Sequence, residues 1–243
     1  MDYLLLICSD GVATPEKAAA MRESMPGWLS EMDARGVRVF GHALANASAA
    51  KTVRVRGPRT FLSDGPFAET KEFVGGIDIV ECADLDEAIE IAAKHPVARF
   101  HMIEIRPFTD GADVRTKVPT GETERGQRYL MFMCADGIPA TDPEEEWVRT
   151  EGASWFEAVK ARDPNSFGHA LKSITAATTV RVREGQTLIS DGPFAETREF
   201  IAGFDIVECT DLDEAVEIAA KHPLAAFHMV EVRPFARDEA SED

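Results

Sequence analysis

Ser63 to Phe108 reads SDGPFAETKEFVGGIDIVECADLDEAIEIAAKHPVARFHMIEIRPF, and Ser190 to Phe235 reads SDGPFAETREFIAGFDIVECTDLDEAVEIAAKHPLAAFHMVEVRPF. The two stretches lie 127 residues apart and match at 36 of 46 positions. Most differences are mild, such as Lys71/Arg198, Val74/Ile201 and Ile89/Val216. Upstream the match continues more weakly: Tyr3 aligns with Tyr129, Cys8 with Cys134, Asp10 with Asp136, Trp28 with Trp155 and His42 with His169. A repeat of this length is domain-sized, far above the ~20–50 residues of solenoid units. The chain therefore reads as one unit written twice, over 1–108 and 128–235. Between the copies, Thr109 to Gln127 is rich in Gly, Thr and charge and has no apolar periodicity, which predicts a solvated linker. The polar tail 236–243 is expected to fray.

Composition limits the partners. In 243 residues there are 26 Lys and Arg against 43 Asp and Glu, a formal net charge of −17. Nucleic-acid binders need clustered cations for phosphate contacts, so direct nucleic-acid binding is not expected. The same sign opposes docking on anionic lipid. No apolar run reaches the ~20 residues of a membrane span. Met1-Asp2-Tyr3 followed by Leu4 to Ile7 lacks a basic n-region and reads as a first strand, not a signal peptide. Cys8, Cys82, Cys134 and Cys209 form no CxxC pair, so zinc-ribbon and thioredoxin readings fail and reduced, buried thiols in a cytoplasmic protein are expected. The residues call for no cofactor and no metal.

The periodicities repeat in both copies. Tyr3 to Cys8 is a continuous apolar run, a strand buried on both faces. Thr14-Pro15-Glu16 caps a helix whose stripe is Met21, Met25, Trp28 and Met32, echoed by Val148, Gly152, Trp155 and Val159. Pro26-Gly27 predicts a kink or split in that helix. Val37 to Leu44 reads as a strand, and Thr52 to Arg56 and Thr60 to Ser63 flank a tight turn at Gly57-Pro58, with Glu184-Gly185 at the matching point. Ile77 to Cys82 is a strand. Asp84 caps a helix with Glu87 three residues on, and His95-Pro96 stops it. Phe100 to Arg106 is the last strand. The order β-α-β, hairpin, β-α-β is the ferredoxin-like split βαβ pattern with an extra hairpin, an α+β class. Helices then cover one sheet face and leave the other apolar, so the two repeats are expected to pack on each other as an intramolecular dimer, with a higher oligomer left open.

DGPFAETKE at Asp64 to Glu72, Gly75-Gly76 and DLDEA at Asp84 to Ala88 resemble the DGPF-motif branch of the YCII-related family, and the resemblance spans both units. It implies a dimeric α+β barrel of ferredoxin-like units, here fused into one chain. Function in the family is mostly unassigned. Similar domains occur near or fused to sigma factors, which implies a link to transcription for some members. Better-studied relatives imply small-molecule lyase or dehydrochlorinase chemistry with a His–Asp pair. This sequence departs from that pair. The helices at Glu16 to Arg35 and Glu144 to Arg162 hold no His, and His95-Pro96 and His222-Pro223 stand where the family has Asp-Pro.

Several residues remain as candidates on their own chemistry, each beside a structural reading. Asp64 and Asp191 open the DGPF loops as potential acids or bases. Glu69, Thr70 and Lys71, with Glu196, Thr197 and Arg198, could form a polar ligand-binding rim; the alternative is a rigid connector whose Phe67 plugs the core. His42 and His169 sit in a recurring FGHAL, as general bases or as satisfied structural histidines. His101 shares the face of Ile103 and Ile105 and could pair with Asp78, as His228 could with Asp205; a buried polar network is the alternative. His95 sits at a helix C-terminus, where a cation suits the dipole, and reads as structural. Cys8 and Cys82 end strands expected to lie parallel and adjacent, which would allow a redox pair or soft-metal site. Arg54 and Arg56, with Arg181 and Arg183, could meet an anion or simply solvate an edge strand. Two functions follow: a small-molecule binder in a barrel cavity with acid–base chemistry, or a non-catalytic regulatory module.

Overall fold

The computed structural model describes residues 1–11, 13–67, 72–109, 111, 114–118, 126–135, 142–194 and 199–237. The elements run β1 (Asp2–Ser9), α1 (Pro15–Arg35), β2 (Arg38–Ala43), β3 (Lys51–Arg56), β4 (Arg59–Asp64), β5 (Phe73–Glu81), α2 (Leu85–Lys94) and β6 (Met102–Pro107). The short helix α3 (Val114–Lys117) follows. The second copy gives β7 (Gln127–Ala135), α4 (Asp142–Arg162), β8 (Phe167–Ala170), β9 (Thr178–Arg183), β10 (Gln186–Asp191), β11 (Phe200–Cys209), α5 (Leu212–Ala220) and β12 (Met229–Pro234).

The helix signals act as read. The Thr14 hydroxyl accepts from the Lys17 amide with Pro15 in the first turn, and Gly36 ends α1 at φ 65, a left-handed position that suits glycine. Asp84 accepts from the Glu87 amide at 3.0 Å while Glu87 reaches back to the Ala83 amide at 2.8 Å. The expected split at Pro26 does not occur, because α1 runs unbroken through it. Pro26 is exposed, so water can serve the carbonyl that loses its amide partner.

Two sheets form, each of six antiparallel strands, in the orders β10-β9-β6-β1-β5-β2 and β4-β3-β12-β7-β11-β8. The chain divides into two compact units that follow these sheets. One is Met1–Ala43, Thr70–Thr116 and Leu171–Glu196; the other is Leu44–Glu69, Lys117–Ala170 and Thr197–Asp243. The four-strand part β6-β1-β5-β2 is the ferredoxin-like order, and β12-β7-β11-β8 repeats it. The fold is thus α+β with two ferredoxin-like units. Each unit extends its sheet with the hairpin of the other repeat: β9 pairs with β6 through Ile103↔Val180, and β3 pairs with β12 through Val230↔Val53.

In the first unit, α1 and α2 cover a core of Tyr3, Leu5, Trp28, Met32, Val80, Ile91, Ile103 and Ile105, completed by Val180 of the exchanged hairpin. The opposite sheet face carries Leu4, Leu6, Cys8, Ile77, Ile79, Met102, Glu104 and Arg106, and these are buried as well. A strand with both faces buried must be apolar at nearly every position, which is why β1 reads as a continuous apolar run. The second unit repeats this with Tyr129, Met131, Trp155, Val207, Ile218, Val230 and Val232 around Val53. β4 and β10 are exposed at every position and form one edge of each sheet, with Phe61, Leu62, Leu188 and Ile189 each about half exposed.

Cys8 and Cys82 are not neighbours. β1 and β5 run antiparallel, so Cys8 faces Val74 while the Cys82 amide bonds the Met1 carbonyl at the far end of the strand. That separates the thiols by about 23 Å, seven residues at ~3.3 Å each. The βαβ crossover leaves a gap between parallel β1 and β2, and antiparallel β5 fills it.

Candidate functional site

The end of the first sheet where β1 finishes and β6 begins gathers the most reactive arrangement among the described residues. His101 precedes β6 and is 7% exposed. Its Nδ1 lies 2.8 Å from Oδ1 of Asp10, just beyond β1, and 3.4 Å from the Ser9 hydroxyl. A carboxylate only accepts, so Nδ1 carries the proton and donates it to Asp10. In the neutral ring, Nε2 then holds the lone pair, and no described residue bonds it. The His101 hydrogen bond holds the Asp10 carboxyl below its usual range, against a smaller opposing effect of burial. The Ser9 hydroxyl donates to the Gly11 carbonyl at 2.5 Å and folds the segment after β1 back on itself. Arg183 of the exchanged hairpin donates to the His101 carbonyl at 3.0 Å. An imidazole oriented through Nδ1 by a carboxylate, with Nε2 open, is the arrangement of a general base or acid. In the second copy, His228 stands at the matching position, Ala135 replaces Ser9, and Asp136 lies outside the described residues.

His101 and Asp78 do not pair. β1 lies between β6 and β5, so the two residues are not on neighbouring strands. Asp78 is instead 4% exposed on the helix-covered face, with its Oδ1 2.6 Å from Nε of Arg38 and its Oδ2 3.6 Å from Nε2 of His95. Burial pushes the Asp78 carboxyl up to about 6 in spite of Arg38. His95 accepts from the Val97 amide through Nδ1 at 3.2 Å and stacks edge-on to Trp28 with ring centroids 4.5 Å apart. Burial, with Arg38 nearby, takes His95 down to about 3, so it is neutral and not the cation expected at a helix end.

The second unit repeats the aspartate, the histidine and the tryptophan without the cation. Asn165 occupies the place of Arg38. Asp205 is 5% exposed, has no hydrogen bond or ion pair with any described residue, and is pushed up to about 8 by burial. His222 bonds the Leu224 amide at 3.1 Å, packs edge-on to Trp155 at 4.5 Å, and is taken down to about 4 by burial. Gly41 and Gly168 lie against the Asp78 and Asp205 carboxylates so closely that a Cβ would overlap them. The glycine of the recurring FGHAL is therefore required by this packing.

His42 and His169 lie on the edge strands β2 and β8 and bond the carbonyls of Ala43 at 2.9 Å and Ala170 at 3.0 Å through Nδ1. β1 and β5 separate His42 from β6, about 14 Å at ~4.8 Å per strand, so His42 and His101 do not converge. Asp64 sits at the exposed end of β4 in an ion pair with Lys51, and Asp191 ends β10 opposite Thr178. Glu69, Thr70, Lys71, Glu196, Thr197 and Arg198 lie outside the described residues. Just before them, the Phe67 amide donates to Glu231 at 2.9 Å and the Phe194 amide to Glu104 at 2.8 Å, which fastens each DGPF loop to a buried carboxylate. An open groove of about 800 Å³ between α2 and the β9–β10 hairpin, floored by Ile89, Ala93, Val182 and Ile189, contains none of the sequence-predicted residues. Sequence reading missed Asp10 and Arg38 as partners. The recurrence of Asp10 as Asp136 in the aligned repeats was the available signal.

These features define a tandem-duplicated α+β protein with two ferredoxin-like units and a His–Asp pair at the end of its first sheet. The YCII-related domain family matches residues 1–110 and 135–237, and the chain belongs to that family. It is 45% identical over 68 residues to the uncharacterised protein R00369 of Rhizobium meliloti (strain 1021), a match over 27% of this chain and 55% of the relative. The chain thus spans about half the length of this curated relative. Among solved structures, TA0507, provisionally a chlorite dismutase, is similar at TM-score 0.45 and 10% identity over 97% of this chain and 94% of that one. Among the described residues no helix is long and apolar enough to cross a membrane.

Proposed function

We propose that this YCII-related protein binds a small molecule beside β1 and β6 and that His101 serves there as general base or acid, oriented by Asp10. The 2.8 Å bond from Nδ1 to Asp10, with Nε2 left open, carries this reading. Asp10 fixes the tautomer and stabilises the imidazolium formed when Nε2 takes a proton. Its lowered pKa keeps it ionised through the neutral range, so it can fill that role. The fused repeat places His228 at the matching point, so a second centre is expected in the other unit.

Turnover across a panel of small hydroxylated and chlorinated carboxylic acids and phenols tests the proposal. His101→Gln should lower kcat by about 10²–10⁴ at the first centre, and Asp10→Asn should lower it less, both measured in a His228→Gln background. Turnover unchanged in His101→Gln rules the role out. Binding without turnover, unaffected by His101→Gln, marks a non-catalytic binding module instead.

A further inference from the structure

The helix layer of the first unit stops short of its sheet. α2 packs over β6 and β9, and β10 lies beyond it as the edge strand. The open groove of about 800 Å³ runs there, between the outer flank of α2 and the β9–β10 hairpin, and every residue lining it belongs to the first unit. Ile89, Ala93 and Val182 are half-buried at the margin of the core, and Ile189 is 54% exposed on the same floor. Neighbouring helices pack about 8–10 Å apart, close to two strand spacings of ~4.8 Å. The next helix position beside α2 therefore falls over β10 and its edge, on this floor. No described residue occupies it.

Three charges on the rim, Asp86, Arg99 and Glu184, have no ion pair with any described residue. Asp86 stands in the first turn of α2. Arg99 closes the 3-10 turn that follows α2, and Glu184 sits in the hairpin turn at the same end, where Arg183 bonds the Ala98 carbonyl at 2.9 Å. Lys94 and Glu90, between the two ends, are already paired with each other at 2.9 Å. The other repeat keeps the floor positions apolar, with Val216, Ala220, Val55 and Leu62, but has Ala226 for Arg99 and Gly57 for Glu184. Glu184 takes φ 52, the left-handed conformation that Gly57 takes at φ 56 and that a side chain disfavours. The first unit thus carries a strained acid and, among the described residues, an unpaired cation where its copy has a glycine and an alanine.

We infer that this groove docks an amphipathic helix of a partner protein, lying antiparallel to α2. An antiparallel helix brings its N-terminus to Glu184 and Arg99. Its first-turn N–H groups lack partners within the helix and suit the Glu184 carboxylate. An acidic residue in that turn suits Arg99. At the far end, a Lys or Arg in its last turn meets Asp86. A parallel helix would instead turn its partly negative C-terminus towards Glu184. Apolar residues at i, i+3, i+4 and i+7 cover Ile89, Ala93, Val182 and Ile189. The groove contains neither Asp10 nor His101, so docking there stands or falls separately from the acid–base reading.

Fluorescence anisotropy of a labelled synthetic peptide, with Glu in its first turn, Leu at i, i+3, i+4 and i+7, and Lys in its last turn, tests this on the full chain. The expected result is saturable binding. Arg99→Ala and Glu184→Gly, which install the other repeat's residues, should each weaken it several-fold, and Ile189→Asp should abolish it. Glu184→Gly should also hold or raise Tm, because glycine accepts the left-handed turn without strain. The inference is overturned by the absence of saturable binding in the parent chain. It is equally overturned if Ile189→Asp and the double Arg99→Ala, Glu184→Gly variant both bind as the parent does. Sedimentation of the chain without peptide is the second measurement: self-association that Ile189→Asp removes would assign the groove to a second copy of this chain and overturn the inference too.

Discussion

Asp78 and Asp205 occupy the same position in the two repeats, each buried, yet their surroundings differ by one cation. Arg38 meets Asp78, and the residue that aligns with it in the second repeat is Asn165, which has no charge. The carboxyls accordingly rest at about 6 and about 8. Burial alone drives the second, and a guanidinium within hydrogen-bond reach offsets part of it in the first. Asn165→Arg should bring Asp205 down from about 8 towards the value of its counterpart, and Arg38→Met should raise Asp78. Carboxyl ¹³C NMR titration of both residues reads this directly, and an unmoved Asp205 in Asn165→Arg would show that the position does not carry the difference. The candidate aspartates were legible in the sequence because charged residues interrupt apolar strands. Their partners were not: alternation gives the face a side chain takes, whereas strand order decides which residues share that face at contact distance.

At the scale of elements, the hairpins are the informative feature. Arg183 donates to the carbonyls of Ala98, Phe100 and His101 at 2.9, 3.4 and 3.0 Å, around the end of the 3-10 turn Pro96–Arg99. Arg56 does the same at Pro223–Ala226 with Ala225, Ala226, Phe227 and His228. Carbonyls at the end of such a turn lack partners within it, and a guanidinium supplies several donors at once. Arg183→Ala should cost about 2 kcal/mol in urea unfolding, in the range of hydrogen bonds to charged groups. It should also speed amide exchange across β9 and β10 more than in β1 or β5. Uniform change across the sheet would show that the arginine does not fasten the hairpin. The turn and both strands of each hairpin were readable from Gly57-Pro58 and Glu184-Gly185. Which sheet receives each hairpin was not, because Thr52 and Thr179 are equivalent and either repeat offers the same edge to pair with.

Across the whole molecule, three buried groups and the half-buried His222 contribute to how stability responds to pH. His95 and His222, at about 3 and about 4, are held neutral; below the ordinary histidine range near 6.5 the unfolded chain takes up protons that the folded one does not. They raise stability as pH climbs towards 6.5. Asp78 and Asp205 act oppositely, because the folded protein keeps protons that the unfolded chain has released. Their stabilisation is lost as pH rises from near 4 to about 6 and about 8. Between about 6.5 and 8, Asp205 is the one of these four still titrating in the folded state, so Tm should fall over that window. Asp205→Asn, which keeps the shape without the charge, should flatten that fall. A parent and variant with parallel Tm profiles from pH 6.5 to 8 would contradict it.

The sequence by itself determined the duplication, the α+β class, the element order and the family, because repeats, periodicity, caps and turn residues are local and survive in a one-dimensional string. It also marked His101 as a candidate. Only the tertiary structure decided that His101 bonds Asp10 and not Asp78, that Cys8 and Cys82 stand at opposite ends of their strands, and that each sheet is completed by the other repeat's hairpin. Each of those outcomes depends on which strands lie side by side and in which direction. That choice is made by burying apolar faces cooperatively over the whole sheet, and two nearly identical repeats give no local preference between partners.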